Sequence, residues 1–114
     1  MMTRPGVLGI ALIWLLASGL GLGGDRLDAQ SREALITQGR QLFTDKGCYG
    51  CHTVGASGTP IAPDLRRAAA RYPEATLAQW LRDPSAQEQT RHMPNLELSE
   101  AEASALAAYL ASLR

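Results

Sequence analysis

Five consecutive residues, Cys48-Tyr49-Gly50-Cys51-His52, carry side chains that could do chemistry together. Two thiols separated by two residues can each add to one vinyl group of a haem, forming two thioether bonds. The adjoining imidazole of His52 is then held where it can ligate the iron. Cys-x-x-Cys-His is the attachment pattern for c-type haem. The motif therefore specifies one cofactor, its two covalent anchors and one axial ligand.

Three other uses of these cysteines fit less well. A thioredoxin-like redox pair belongs beside a βαβ pattern, and the sequence shows no strand pattern of that kind. A structural zinc site needs four ligands, whereas only Cys48, Cys51, His52 and His92 are on offer, without a second pair at normal spacing. Two cysteines are also too few for a disulfide-stapled scaffold.

A low-spin haem iron takes a second axial ligand, and a methionine thioether raises its reduction potential. Outside the N-terminal segment the chain has one methionine, Met93, in Arg91-His92-Met93-Pro94. Its polar, proline-flanked setting suits a ligand-bearing loop better than a core-filling methionine. His92 is the rival ligand.

Helices must position these groups. Residues 31–46 read as a helix with Ser31 as N-cap, Glu33 in the first turn and Gly47 as the stop. Leu35, Ile36, Gly39, Leu42 and Phe43 fall on one face. Residues 53–63, with two Gly and two Pro, read as a loop. Asp64 is placed to cap a short helix over 65–71, which Pro73 stops. A third helix fits residues 74–82, with Leu77, Trp80 and Leu81 inward, and Pro84 ends it. Ser99-Glu100-Ala101-Glu102 is a capping box that opens the last helix. Its apolar stripe is Ala103, Leu106, Leu110 and Leu113, with Tyr109 beside it. The expected fold is all-α, about four helices around one covalently bound haem, preceded by an N-terminal apolar helix. A domain this small and poor in large apolar residues is marginal on its own core, so the haem-free chain is expected to be largely unfolded.

Residues 39–113 resemble a class I monohaem cytochrome c. Cys48, Cys51 and His52 match that family's attachment motif and proximal ligand, and Met93 matches its distal ligand. The resemblance implies that Gly39 and Phe43 on the first helix cross Leu106 and Tyr109 on the last. It also implies that the Pro63 carbonyl accepts a hydrogen bond from the His52 ring, with Pro60 as the alternative. Leu65 would touch the haem, and Trp80 and Leu81 would pack over its methionine side. The connection between Pro63 and Pro84 is short for the family, leaving Arg66, Arg67 or Arg71 as partners for the haem carboxylates. Trp80 stands where mitochondrial relatives often have an aromatic hydroxyl. Packing against the porphyrin is its expected role, ahead of a hydrogen bond from the indole N–H to the Met93 sulfur.

The first thirty residues differ in composition. After Arg4 there is no charge from Pro5 to Gly24, and residues 7–16 are strongly apolar. This reads as a secretory signal or a membrane anchor, with a retained anchor preferred, followed by a short polar linker over 25–30. Arg4 would stay in the cytoplasm and residues 31–114 would be exported, to the periplasmic side of the cytoplasmic membrane. That exported part has nine basic and nine acidic residues, which predicts no nucleic-acid affinity. Its middle is arginine-rich and its end acidic, an arrangement open to use in steering a redox partner.

These readings lead to an electron carrier without catalytic residues of its own, shuttling one electron at a time between a redox donor and an acceptor. A haem c subunit of a membrane-bound oxidase or reductase complex is the alternative. A haem enzyme or gas sensor, with Met93 labile, is the third.

Overall fold

The computed structural model describes the backbone of residues 8–113 and the side-chain surroundings of residues 24–113. The side chains of the expected signal or anchor lie outside that range. Among the described residues no helix is long and apolar enough to cross a membrane. The chain divides into two compact units, Met1–Ser31 and Arg32–Arg114.

Helix α1 spans Leu8–Asp45, so Ser31 lies inside a helix and is not its N-cap. The expected linker over residues 25–30 is helical as well. No Gly or Pro interrupts the chain between Gly24 and Gly39, and Arg26, Leu27, Ala29 and Gln30 are all good helix formers. Propensity therefore outweighs the capping tendency of a lone serine. The helix stops where Gly47 turns into the left-handed region at φ 76°.

Helix α2 is only one turn, Ala68–Arg71. Helix α3 occupies Glu74–Arg82, between Pro73 and Pro84. Pro84 then opens a 3₁₀ turn, Pro84–Ala86, and is itself buried. Helix α4 covers Glu100–Ser112 and starts on a complete capping box. The Ser99 hydroxyl accepts from the Glu102 N–H at 3.1 Å, and the Glu102 carboxylate accepts from the Ser99 N–H at 3.0 Å. Leu98 just before the cap and Ala103 just after the first turn are both buried, in the manner of a hydrophobic staple.

The core lies between the end of α1, α3 and α4. Phe43 is 2 % exposed and meets Tyr49 and Tyr109 edge-on, at ring separations of 4.7 and 5.6 Å. On α4 the buried set is wider than the expected stripe: Ala105, Ala107 and Ala108 are buried along with Leu106, Tyr109 and Leu110. Small alanines let neighbouring backbones approach from several sides. Gly39 makes the same use of size on α1. A methyl group there would be driven into the Ala105 carbonyl and would sit 2.7 Å from Tyr109 Cβ. An exposed bidentate pair, Arg32 to Glu74 with both N–O distances 2.8 Å, adds a tie between α1 and α3. Such a pair contributes about 0.2–1 kcal/mol.

The stretch after His52 is not wholly irregular. Thr53–Val54 and Ser57–Gly58 pair as a two-residue antiparallel hairpin, β1 and β2. Gly55, at φ 63°, takes the first central position of its turn, and Ala56 stays at negative φ. That is the II′ pattern a two-residue hairpin prefers.

Candidate functional site

The attachment motif is wound into a tight turn directly after α1. Gly50 N–H donates to the Gly47 carbonyl at 2.9 Å, and His52 N–H to the Cys48 carbonyl at 2.9 Å. Cys48–Gly50 is a 3₁₀ turn, in which positions i and i+3 eclipse. Cys48 opens this turn and Cys51 follows it as the cap. Both thiols are free; Cys48 is half-buried and Cys51 exposed. Burial pushes the Cys48 thiol above its ordinary value.

The segment after the motif is strapped back onto it. Ile61 and Ala62 N–H groups both donate to the Cys51 carbonyl, at 3.1 and 2.7 Å, and Leu65 N–H donates to the Thr53 carbonyl at 2.9 Å. Asp64 is the brace. One of its oxygens accepts from the Thr53 hydroxyl at 2.8 Å and from Gly55 N–H at 3.0 Å, and the other from Arg66 N–H at 2.9 Å. These donors, the Arg66 N–H foremost, hold its carboxyl below the usual range. Asp64 therefore does not cap the helix expected over 65–71. Its acceptors are committed to the hairpin and the following turn, and α2 begins four residues later.

This strapping sets the Pro63 carbonyl oxygen 2.7 Å from His52 Nδ1. A carbonyl can only accept, so Nδ1 must carry the hydrogen. The Nε2 lone pair is then free for a metal, and the bond makes that nitrogen more electron-rich.

His52 faces a cavity of about 470 Å³, within the range of small-molecule and cofactor pockets. Cys48, Pro63, Leu65, Trp80, Leu81 and Met93 line it too. Of the expected site residues, Cys51 alone is not on its wall. Phe43, Leu77, Leu106 and Leu110 form its floor, so the cavity opens into the hydrophobic core. Met93 is delivered by a turn. Its N–H donates to the Thr90 carbonyl at 2.9 Å, and the Thr90 hydroxyl donates to the carbonyl of buried Pro84 at 2.8 Å. His92 is exposed and off the cavity wall, with Arg91 Nε 3.4 Å from its ring nitrogen.

Several wall residues were not anticipated. Tyr72 meets Trp80 edge-on at 4.5 Å, and Gln89 and Thr90 also face the cavity. Tyr72 carries a faint signal in its place just before Pro73, which favours extended backbone there. Arg66, Arg67 and Arg71 all reach the rim. Arg66 lies 3.6 Å from Asp64, whereas Arg67 and Arg71 have no ion pair among the described residues.

A family model described as Cytochrome c matches residues 36–114. The chain belongs to the cytochrome c family. That family binds haem c covalently, and Cys48 and Cys51 have its attachment spacing. The chain is also 41 % identical over 91 residues to a cytochrome c oxidase subunit 2 of Alkalihalophilus pseudofirmus, over 72 % of this chain and 27 % of that protein. It therefore spans about a quarter of the length of that relative.

The cavity fits the family's cofactor. Its wall offers the Cys48 sulfur, an imidazole with Nε2 free, a thioether, apolar side chains and cations at the rim for carboxylates, and the Cys51 sulfur lies on the same turn, exposed and off the wall. This cytochrome c domain is an electron-transfer haem protein.

Proposed function

We propose that the chain is an exported one-electron carrier, tethered through its N-terminal segment to the outer face of the cytoplasmic membrane, or released when that segment is cleaved. When bound, the haem supplies one-electron exchange between Fe(III) and Fe(II). Cys48 and Cys51 would hold it covalently, with His52 and Met93 as its axial ligands. Pro63 fixes the His52 tautomer. Leu65, Trp80 and Leu81, on the cavity wall, would keep water from it, and Arg67 and Arg71 would neutralise its carboxylates. With His52 and Met93 both on the iron, no open position would be left for a substrate.

The observation that carries this reading is the His52–Pro63 bond at 2.7 Å, on the same cavity that receives Met93. A mass measurement on the protein extracted from membranes tests it. The expected mass is that of the chain plus one haem, with or without residues of the leader. A haem-free mass would refute it.

A second reading is favoured by the match to an oxidase subunit 2. Here the chain is the haem c subunit of a membrane-bound respiratory oxidase. Co-elution with a larger complex after gentle detergent extraction supports that form, and elution alone supports the free tethered carrier.

A further inference from the structure

Pro84 and Leu98 are buried, and no residue between them is. The loop that carries Met93 is therefore held chiefly by hydrogen bonds, with Leu96 packing in part against the core. One series of bonds connects it to the interior. Met93 N–H donates to the Thr90 carbonyl at 2.9 Å, and the Thr90 hydroxyl donates to the Pro84 carbonyl at 2.8 Å. Among the described residues, this hydroxyl makes the one side-chain hydrogen bond from the loop to a buried residue. Other side-chain bonds there are local. The Ser85 hydroxyl donates to Asp83 at 2.8 Å, and the Asn95 side chain accepts from Glu97 N–H at 2.9 Å. Besides Thr90, the Pro84 carbonyl has only the Gln87 N–H, at a longer 3.3 Å, among the described residues. Thr90 also lines the cavity together with Met93.

We propose that Thr90 is the positioning residue for Met93: its hydroxyl, bonded to Pro84, sets how firmly the methionine stays on the iron and how closed the iron is to outside ligands. The inference rests on the reading of His52 and Met93 as the axial ligands. Carrying the Met93 backbone away from the cavity breaks the series of bonds through Thr90. The carbonyl of buried Pro84 would then keep only the longer bond from Gln87, and an under-satisfied buried acceptor is costly. The closed loop and an outside ligand compete for one position. The apparent affinity of that ligand is therefore scaled by the fraction of molecules whose loop is open. One hydrogen bond between neutral groups shifts such a balance by about two- to tenfold.

Titration of the ferric holoprotein with imidazole tests this, followed by loss of the sulfur-to-iron charge-transfer band. Imidazole is a suitable probe because in its neutral form it is not drawn to Arg67 and Arg71 at the rim. Thr90→Val keeps the branched shape and removes the hydroxyl, and it should bind imidazole about two- to tenfold more tightly than the wild type. Thr90→Ala should shift the affinity in the same direction, which guards against a misfit of the valine. Thr90→Ser restores the hydroxyl and should return the affinity to the wild-type value. Ser85→Ala removes a hydroxyl from the same loop that is not bonded to the Met93 turn, and it should bind imidazole as the wild type does. Thermal unfolding of each holoprotein separates positioning from stability. A Thr90→Val protein that melts earlier yet binds imidazole like the wild type overturns the proposal, because the hydroxyl would then serve the fold alone. Unchanged imidazole affinity with unchanged melting overturns it as well, as does a Ser85→Ala protein shifted as far as Thr90→Val. A wild type that lacks the band before any imidazole is added overturns the ligand reading itself, and the role of Thr90 with it.

Discussion

Replacing Gly39 with alanine should destabilise the holoprotein, although alanine is the better helix former by about 1 kcal/mol. The reason is the crossing of α1 over α4. The added methyl would sit 2.7 Å from Tyr109 Cβ and closer still to the Ala105 carbonyl. Non-bonded carbons prefer about 3.5–4.0 Å, so the helices must part by roughly an ångström. No rotamer change relieves the clash, because its partner is backbone. A gap of that size forfeits about a quarter to a half of each contact's attraction along the seam, where Phe43, Leu106 and Tyr109 are packed. Overpacking of this kind costs about 1–3 kcal/mol. A domain of this size loses about 4–8 °C in Tm per kcal/mol, so a drop of roughly 4–24 °C is expected. Thermal unfolding of the ferric holoprotein by circular dichroism is the assay. Gly50→Ala is the control, since a methyl there meets nothing within 4 Å and its φ is not positive. It should be neutral or stabilise by about 0.4–1 kcal/mol. A Gly39→Ala protein melting at or above the wild type would refute the close crossing.

Three further outcomes follow from the site. The chain expressed as Cys48→Ser/Cys51→Ser, unable to attach haem, should show little helicity in residues 32–114, because its core would be left with a cavity of about 470 Å³; a native-like, cooperative melt would contradict this. Arg71→Gln should lower the reduction potential by an amount on the order of tens of millivolts, since removing a cation near the iron favours the more positive ferric state; an unchanged potential would show that Arg71 does not serve the carboxylates. Asp64 has a lowered folded-state pKa, so its contribution to stability is present above its ordinary value near 3.8 and is lost as pH falls through the folded value. Glu74, lowered by its hydrogen bonds to Arg32, acts in the same sense below about 4.5. Acid denaturation of Asp64→Asn should accordingly begin from a lower stability at neutral pH and show a shallower slope in that acid window, and identical curves would remove Asp64 as the brace.

Much of the fold could be read from residues with strong local rules. Two prolines bound α3, the capping box opens α4, and Gly47 closes α1, because each acts through its own backbone geometry. Where several weak preferences compete, the reading went astray. Ser31 can cap a helix, but nothing before it breaks one. Asp64 is equally suited to a cap or to a hairpin brace, and the choice depends on where Thr53 and Gly55 lie in space. The hairpin is too short to show a strand period. At the site, Met93 stood out by elimination. Tyr72, Gln89 and Thr90 did not, since a wall residue of a cavity is defined by the packing of distant elements and leaves no local pattern.

The ferric absorption spectrum, compared between wild type and Met93→Ala, tests most directly whether His52 and Met93 grip one iron. A sulfur-to-iron charge-transfer band should be present in the wild type and absent from the variant, with His92→Ala retaining it. A wild type without that band, or a Met93→Ala protein that keeps it, would contradict the ligand set on which the proposed electron transfer depends.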